Sequence, residues 1–137
     1  MRLKLRRVAG FRNAAIATFA RQALDPACNV VSDGLACFPA VTDAGCAHTI
    51  VKTGPGPGAA KTPAFNWVNT ALGNIKAAIT GTYRSVSAKH VPRYLAEFEY
   101  RFNRRYDLPA MIPRLVWASA QTPPMPYGLL KLAEPHA

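Results

Sequence analysis

The chain has 137 residues, and half of them are apolar, which is enough for one core and argues against a globally disordered protein. Lysine and arginine total 17 against 7 acidic residues, so the formal net charge of +10 favours polyanionic partners, either nucleic acid or an anionic membrane surface. No apolar run approaches the roughly 18 residues of a membrane span, and the basic N-terminus lacks the apolar core of a signal peptide. We therefore expect a cytoplasmic protein with no membrane partner.

The N-terminal segment carries two different periodic patterns. Residues 2–8 alternate apolar and basic side chains, which is the period-two pattern of a half-buried strand. Helical spacing follows, with Asn13 as a candidate N-cap and Pro26 as the residue that ends the helix. The first 26 residues therefore predict a strand followed by a helix.

Two more strands are predicted around a second, shorter helix. Residues 28–32 and residues 48–51 are short apolar stretches of strand length. The segment between them tolerates Pro39 in its first helical turn and has Gly45 as a C-cap. Strands and helices that alternate at this spacing predict an α/β fold, a mixed sheet with flanking helices.

A Gly/Pro-rich stretch at residues 52–63 lacks the spacing of a phosphate-binding loop and predicts a flexible surface loop. The helix after it should end at Gly81, and a second helix should cover residues 88–106. The apolar stripe of the first helix is Phe65, Val68, Leu72, Ile75 and Ile79. The apolar stripe of the second is Val91, Tyr94, Leu95, Phe98 and Phe102.

The C-terminal part predicts one further helix and a tail. Asp107 is a candidate cap for this helix, and Pro113 is expected to kink it. After Gln121 the chain is rich in proline, and we expect it to be frayed.

Basic residues cluster in residues 1–21, which hold no acid, and in residues 84–114, and four tyrosines, Tyr83, Tyr94, Tyr100 and Tyr106, are interleaved with the second group. Arginine forks beside aromatic rings suit contact with a phosphate backbone, although a solvated basic face with tyrosines in the core is the alternative. The candidate DNA-binding residues are Arg84, Lys89, Arg93, Arg101, Arg104 and Arg105.

The three cysteines, Cys28, Cys37 and Cys46, are not spaced as CxxC pairs. Cys46 lies close to His48 in sequence, but no second pair of ligands follows. Buried, reduced thiols are therefore favoured over a zinc site.

Asp33 follows the second predicted strand and precedes a glycine, which leaves two interpretations open. It is a catalytic acid at a strand end, or a polar residue that begins a turn. Asn69 and Lys76 lie two helical turns apart on nearly the same face. They could serve a phosphodiester near Asp33, or be ordinary polar residues. Residues 61–93 hold no carboxylate that would complete a pair or triad.

Three stretches together, VVSDGLACF, FNWVNTALGNIKAAITGTYRSV and RYLAEFEYRFNRRYDL, resemble bacterial insertion-sequence transposases of the ISXO-two-like group. These are DDE transposases with a ribonuclease-H-like core. The resemblance covers residues 1–120 and implies an incomplete ribonuclease-H-like core followed by C-terminal helices, with residues 121–137 as a Pro-rich tail. It implies DNA transposition by strand cleavage and transfer that depends on Mg²⁺ or Mn²⁺, with transposon-end and target DNA as partners and a homo-oligomer in the full-length family.

The resemblance also assigns roles to residues. Asp33 matches the second catalytic acid, Asn69 matches the third acidic position and is a metal ligand without charge, and Lys76 matches a residue that contacts DNA phosphate. The first catalytic acid has no counterpart, because no acidic residue precedes Asp25. We therefore expect an N-terminally truncated transposase that is marginally stable and inactive as an isolated chain, so its status as an enzyme is open. The alternative is a non-enzymatic, basic DNA- or RNA-binding module.

Overall fold

The structure is a computed structural model, and it describes residues 2–54, 62–83 and 86–132. Helices dominate these residues, and two strands, β1 (Asn29–Ser32) and β2 (Ala47–Ile50), pair in parallel, so the fold class is mixed α/β as predicted. The helical elements are α1 (Asn13–Ala23), a 3₁₀ helix (Phe38–Ala44), a 3₁₀ turn (Pro63–Phe65), α2 (Asn66–Ala78), a π-helical turn (Ile79–Tyr83), a 3₁₀ turn (Ala88–His90), α3 (Val91–Asn103), α4 (Met111–Gln121) and α5 (Tyr127–Leu130).

The chain forms two compact units, which we describe separately. The first unit is Val8–Ala78, and the second combines Met1–Arg7 with Ile79–Ala137. The sequence instead predicts a division of the chain at residue 120, between the catalytic domain and the Pro-rich tail. The two compact units do not test that boundary, which stays a prediction.

The core of the Val8–Ala78 unit lies between α1 and the Phe38–Ala44 helix. Ile16, Ala17 and Ala20 of α1 are buried against Cys37, Ala40 and Val41. Small side chains let the two helices approach closely, and Ala20 is completely buried. The helix begins one residue earlier than the sequence suggested: Arg12 is the N-cap, without a side-chain cap, and Asn13 is the first helical residue.

The strands and the helix between them follow the sequence prediction. The register pairs Asn29 with Ala47 and Ser32 with Ile50. Pro39 lies in the first turn of the intervening helix, where a missing N–H costs nothing. Gly45 ends that helix with a φ of 84°, and its N–H donates to the Thr42 carbonyl at 2.9 Å. A positive φ is easily adopted only by glycine, which explains why the sequence signal was reliable.

The strand predicted at residues 2–8 does not form, because side chains of α3 take the place of a neighbouring strand. The Leu3 N–H donates to Asn103 Oδ1 at 2.7 Å, and Asn103 Nδ2 donates to the Leu3 carbonyl at 2.9 Å. The Leu5 N–H donates to Glu99 Oε2 at 2.9 Å. Leu3 and Leu5 are half-buried as the alternation predicts. A period of two in the sequence indicates which side chains are buried, but it does not indicate which groups form hydrogen bonds with the backbone N–H and C=O groups.

Helix α2 is only partly covered. Ala71 and Ile75 are buried, whereas Val68 and Leu72 of the predicted stripe are 55% and 46% exposed. The helical path does not end at Gly81, because the Ile79–Tyr83 turn carries it further. The predicted loop at residues 52–63 lies mostly outside the described residues.

The C-terminal helices differ from the sequence prediction in their details. Helix α3 holds no buried residue; its apolar stripe is half-buried. Helix α4 runs unbroken because Pro113 is its third residue, in the first turn, where a backbone N–H has no helical partner. Ala110, not Asp107, is the N-cap; the Asp107 carboxylate pairs with Arg114 at 2.9 Å.

The tail that was predicted to fray contains a short helix, α5. It is also bonded to the rest of its unit, because Lys89 Nζ donates to the Lys131 carbonyl at 2.8 Å.

Candidate functional site

Asp33 occupies an exposed turn directly after β1. Its Oδ1 accepts the Leu35 N–H at 3.2 Å, which is the hydrogen bond of an Asx turn. Gly34 follows with a φ of 87°. The turn interpretation of Asp33 is therefore correct as local structure. It does not exclude a catalytic role, because the carboxyl ends of parallel strands are where α/β proteins bind ligands.

Two residues that the sequence analysis did not assign hold this turn in place. Ser32 is buried, and its Oγ lies 2.9 Å from His48 Nε2. The same Oγ accepts the Gly34 N–H at 3.3 Å. The turn that carries Asp33 is thereby anchored to β2. Only the strand register could have identified this pair of residues, because it places Ser32 and His48 on one face of the sheet.

Asn69 and Lys76 are both exposed on α2, and they lie in the same compact unit as Asp33. Both residues lie on one helix, as expected, and residues seven positions apart on a helix project to nearly the same side. The proposed roles of these residues remain predictions.

The donor chemistry of these residues is incomplete for a divalent-metal centre. In the described ranges, no group of three His, Cys, Asp or Glu side chains comes together in a way that could hold a metal ion. Asp33 and Asn69 offer oxygen donors of the kind that Mg²⁺ prefers, but together they bring one negative charge. The residues present in the described ranges do not fit a complete two-metal site.

Three of the predicted DNA-binding residues bond to a carboxylate or to a carbonyl of the C-terminal tail. Arg101 Nε pairs with Glu97 Oε1 at 2.6 Å, and Arg93 donates to the Leu130 carbonyl at 3.2 Å. Lys89 is the third, through its bond to the tail. Arg84 lies outside the described residues.

Arg104 and Arg105 donate to the Tyr100 and Phe102 carbonyls of α3 at 3.5 and 2.7 Å, and both also stack on aromatic rings. The Arg104 guanidinium lies 3.9 Å from the centroid of the Tyr100 ring, and that of Arg105 lies 4.1 Å from the Phe102 ring. Arg105 also lies 4.3 Å from the ring of Tyr106, which is 88% exposed. The interleaving of arginine and tyrosine in the sequence thus corresponds to cation–π stacking, which leaves edges of the guanidinium groups open to a ligand.

A cleft of about 290 Å³ opens between the N-terminal segment and α3, within one unit. We call it the arginine cleft, defined by Arg6 and Arg7 on one side and by Glu99, Tyr100 and Arg104 on the other. The sequence analysis placed Arg6 and Arg7 in a basic segment but did not connect them with Arg104, which lies almost a hundred residues later.

The cysteines are free thiols: Cys37 and Cys46 are buried and Cys28 is half-buried. The sulfur atoms of Cys28 and Cys46 lie 3.6 Å apart. Burial, together with the hydrogen bond to Cys28, raises the pKa of the Cys46 thiol. These positions agree with the expectation of buried, reduced cysteines.

The family model of the ISXO2-like transposase domain matches residues 1–103, about three quarters of the chain. No curated protein and no solved structure matches the chain. The mixed α/β fold and this match define a transposase domain, from the class of protein that moves DNA segments. The chain belongs to the ISXO2-like transposase family, and the resemblance seen in the sequence is confirmed.

Membership of this family implies DNA as a partner. None of the helices in the described part of the chain has the length and apolarity needed to cross a bilayer.

Proposed function

We propose that this chain contributes to DNA transposition as part of a ribonuclease-H-like catalytic domain in which Asp33 is the second catalytic acid. The observation that carries the proposal is the exposed Asp33 carboxylate at the carboxyl end of a parallel strand, in a turn anchored through Ser32 and His48. A carboxylate held at such a position is available to ligands from solvent without prior unfolding of the turn.

Asn69 and Lys76 complete the proposed set on α2. The Asn69 side-chain carbonyl is a neutral oxygen ligand for Mg²⁺ or Mn²⁺, and the exposed Lys76 ammonium contacts a DNA phosphate as a point charge. We further propose that members of this family act on DNA as homo-oligomers.

The 137 residues by themselves should bind DNA without cutting it. Metal-assisted phosphodiester cleavage requires several anionic ligands to hold two divalent cations, and the described residues bring no such group together. We expect no strand cleavage or joining when the chain is incubated with plasmid or transposon-end duplex and Mg²⁺ or Mn²⁺. Cleavage that is lost in Asp33→Ala would contradict the inactivity and would at the same time support the role of Asp33.

Direct binding of Mn²⁺, followed by electron paramagnetic resonance, tests Asp33 without an activity assay. We expect weak binding that Asp33→Asn removes. Asp43→Asn is the matched control, because Asp43 is an exposed acid of the same unit. Equal loss of binding in the two variants would mean that Asp33 acts only through general charge.

The second candidate function is a non-enzymatic module that binds nucleic acid through its positive charge. The observation that favours it is the +10 net charge, with arginines stacked on aromatic rings near the end of α3. Fluorescence anisotropy with duplex DNA should show log affinity falling steeply with log salt concentration. Absence of binding at low salt would eliminate this function.

A further inference from the structure

The arginine cleft concentrates positive charge that is not neutralised within the protein. Its acid, Glu99, is already engaged: Lys4 Nζ lies 2.8 Å from Oε1, and the Leu5 N–H donates to Oε2 at 2.9 Å. The Glu99 side chain is only 18% exposed. The charge of this carboxylate is therefore compensated by Lys4, and the guanidinium groups that line the cleft are left without an acidic partner among the described residues.

One of these groups is held in place before any ligand arrives. The Arg104 guanidinium lies over the Tyr100 ring, and its Nη1 donates to the Tyr100 carbonyl at 3.5 Å. The Tyr100 hydroxyl in turn donates to the Met111 carbonyl at 3.0 Å. An arginine fixed in this way loses less side-chain entropy when it binds an anion.

The size of the cleft limits what it can hold. About 290 Å³ is at the lower end of the range of small-molecule sites. That volume suits one nucleotide unit rather than a bulky ligand. Planar guanidinium groups match the paired oxygens of a phosphodiester.

We propose that the arginine cleft is a phosphate-binding subsite for DNA, in which Arg6, Arg7 and Arg104 contact the backbone of one strand. The inference rests on the proposed DNA binding and deepens it. Arg101 is neutralised by Glu97, and Lys89 and Arg93 donate to carbonyls of the C-terminal tail. The bond of Arg104 to the Tyr100 carbonyl instead keeps its guanidinium at the cleft, so the cleft rather than the whole basic segment is the principal DNA contact of this unit.

The test compares the double variant Arg6→Gln/Arg7→Gln and the single variant Arg104→Gln with a matched control. The control for the double variant is Arg12→Gln/Arg21→Gln, which removes the same charge from two exposed arginines of the other unit. Arg12→Gln alone is the control for Arg104→Gln. The probe is a fluorescent DNA oligonucleotide, single-stranded or duplex, titrated at several salt concentrations. Each lost phosphate contact should lower the slope of log affinity against log salt by about 1, and the control should leave the slope nearly unchanged.

A second measurement needs no variant and so does not depend on folding. Bound DNA should protect Arg6, Arg7 and Arg104 from modification by phenylglyoxal, while Arg12 and Arg21 continue to react. Mass spectrometry of peptides gives the extent of modification at each arginine.

The outcomes separate this inference from the proposed function. One contrary result is a slope of log affinity against log salt that falls equally in the cleft variants and in the control, and the other is equal protection of all five arginines by bound DNA. Either result overturns the assignment of the cleft as the DNA contact and leaves DNA binding itself intact. Absence of DNA binding by the unmodified chain overturns both.

Discussion

At the scale of single residues, the turn that presents Asp33 depends on Gly34. A side chain there would combine a φ of 87° with a Cβ only 2.9 Å from Ile50 Cγ2. We expect Gly34→Ala to lower the free energy of unfolding by about 1–3 kcal/mol, because both the backbone and the contact with β2 become strained. Urea denaturation provides the measurement.

Gly73 is the matched control for this substitution. A Cβ at Gly73 meets nothing within 4 Å, and the residue lies inside α2, where alanine is favoured over glycine by up to about 1 kcal/mol. Gly73→Ala should therefore raise the free energy of unfolding. A free energy of unfolding that is unchanged or raised in Gly34→Ala, as in the control, would show that the Gly34 turn is not constrained as described.

A second prediction concerns Cys46, whose thiol pKa is raised first by burial and then by its hydrogen bond to Cys28. The folded protein should hold less Cys46 thiolate at neutral pH than the unfolded chain. Stability from this group is complete below the ordinary thiol pKa and is lost as pH rises through the raised value. Alkylation by iodoacetamide should show a rate profile shifted to higher pH than in urea; superimposable profiles would contradict the raised pKa.

At the scale of elements, the N-terminal segment and α3 are joined through Asn103. Its amide both accepts from and donates to the backbone of Leu3. Asn103→Ala should destabilise the protein by about 1–3 kcal/mol, because two part-buried backbone groups lose their partners. Hydrogen exchange of the Leu3 and Leu5 amides should accelerate. Asn103→Asp retains an acceptor for the Leu3 N–H and should lower the free energy of unfolding by less. An equal loss in the two variants would show that the hydrogen bonds to Leu3 are not its cause.

At the scale of the whole molecule, burial is distributed unequally. All the buried residues in the described ranges belong to the Val8–Ala78 unit, and no large side chain is fully buried. Large side chains such as Trp67 and Trp117 are each 70% exposed. Since buried apolar area is the main favourable term in folding, the isolated chain should be marginally stable.

Hydrogen exchange followed by mass spectrometry tests this distribution. Amides of α3 and α4 should exchange before those of α1, and thermal unfolding should be broad, because local opening follows the density of buried contacts. Uniform protection of all helices, with one sharp transition, would contradict both expectations.

The sequence by itself determined the local elements, because their signals act between near neighbours. Pro39 and Gly45 bounded the helix between the strands, and helical periodicity located α1, α2 and α3. It also determined the family, because the ordered motifs lie along the chain. Family motifs selected Asp33, but its support by Ser32 and His48 could not be predicted without the strand register.

Only the tertiary structure decided which polar groups are already satisfied. Leu3 and Asn103 are a hundred positions apart, yet their hydrogen bonds replace the predicted strand. The same packing engages Glu99 with Lys4 while it leaves Arg6, Arg7 and Arg104 around one cleft. Composition counts charges, whereas partners depend on distances of a few ångström between side chains from remote positions, and no local pattern in the chain encodes those distances.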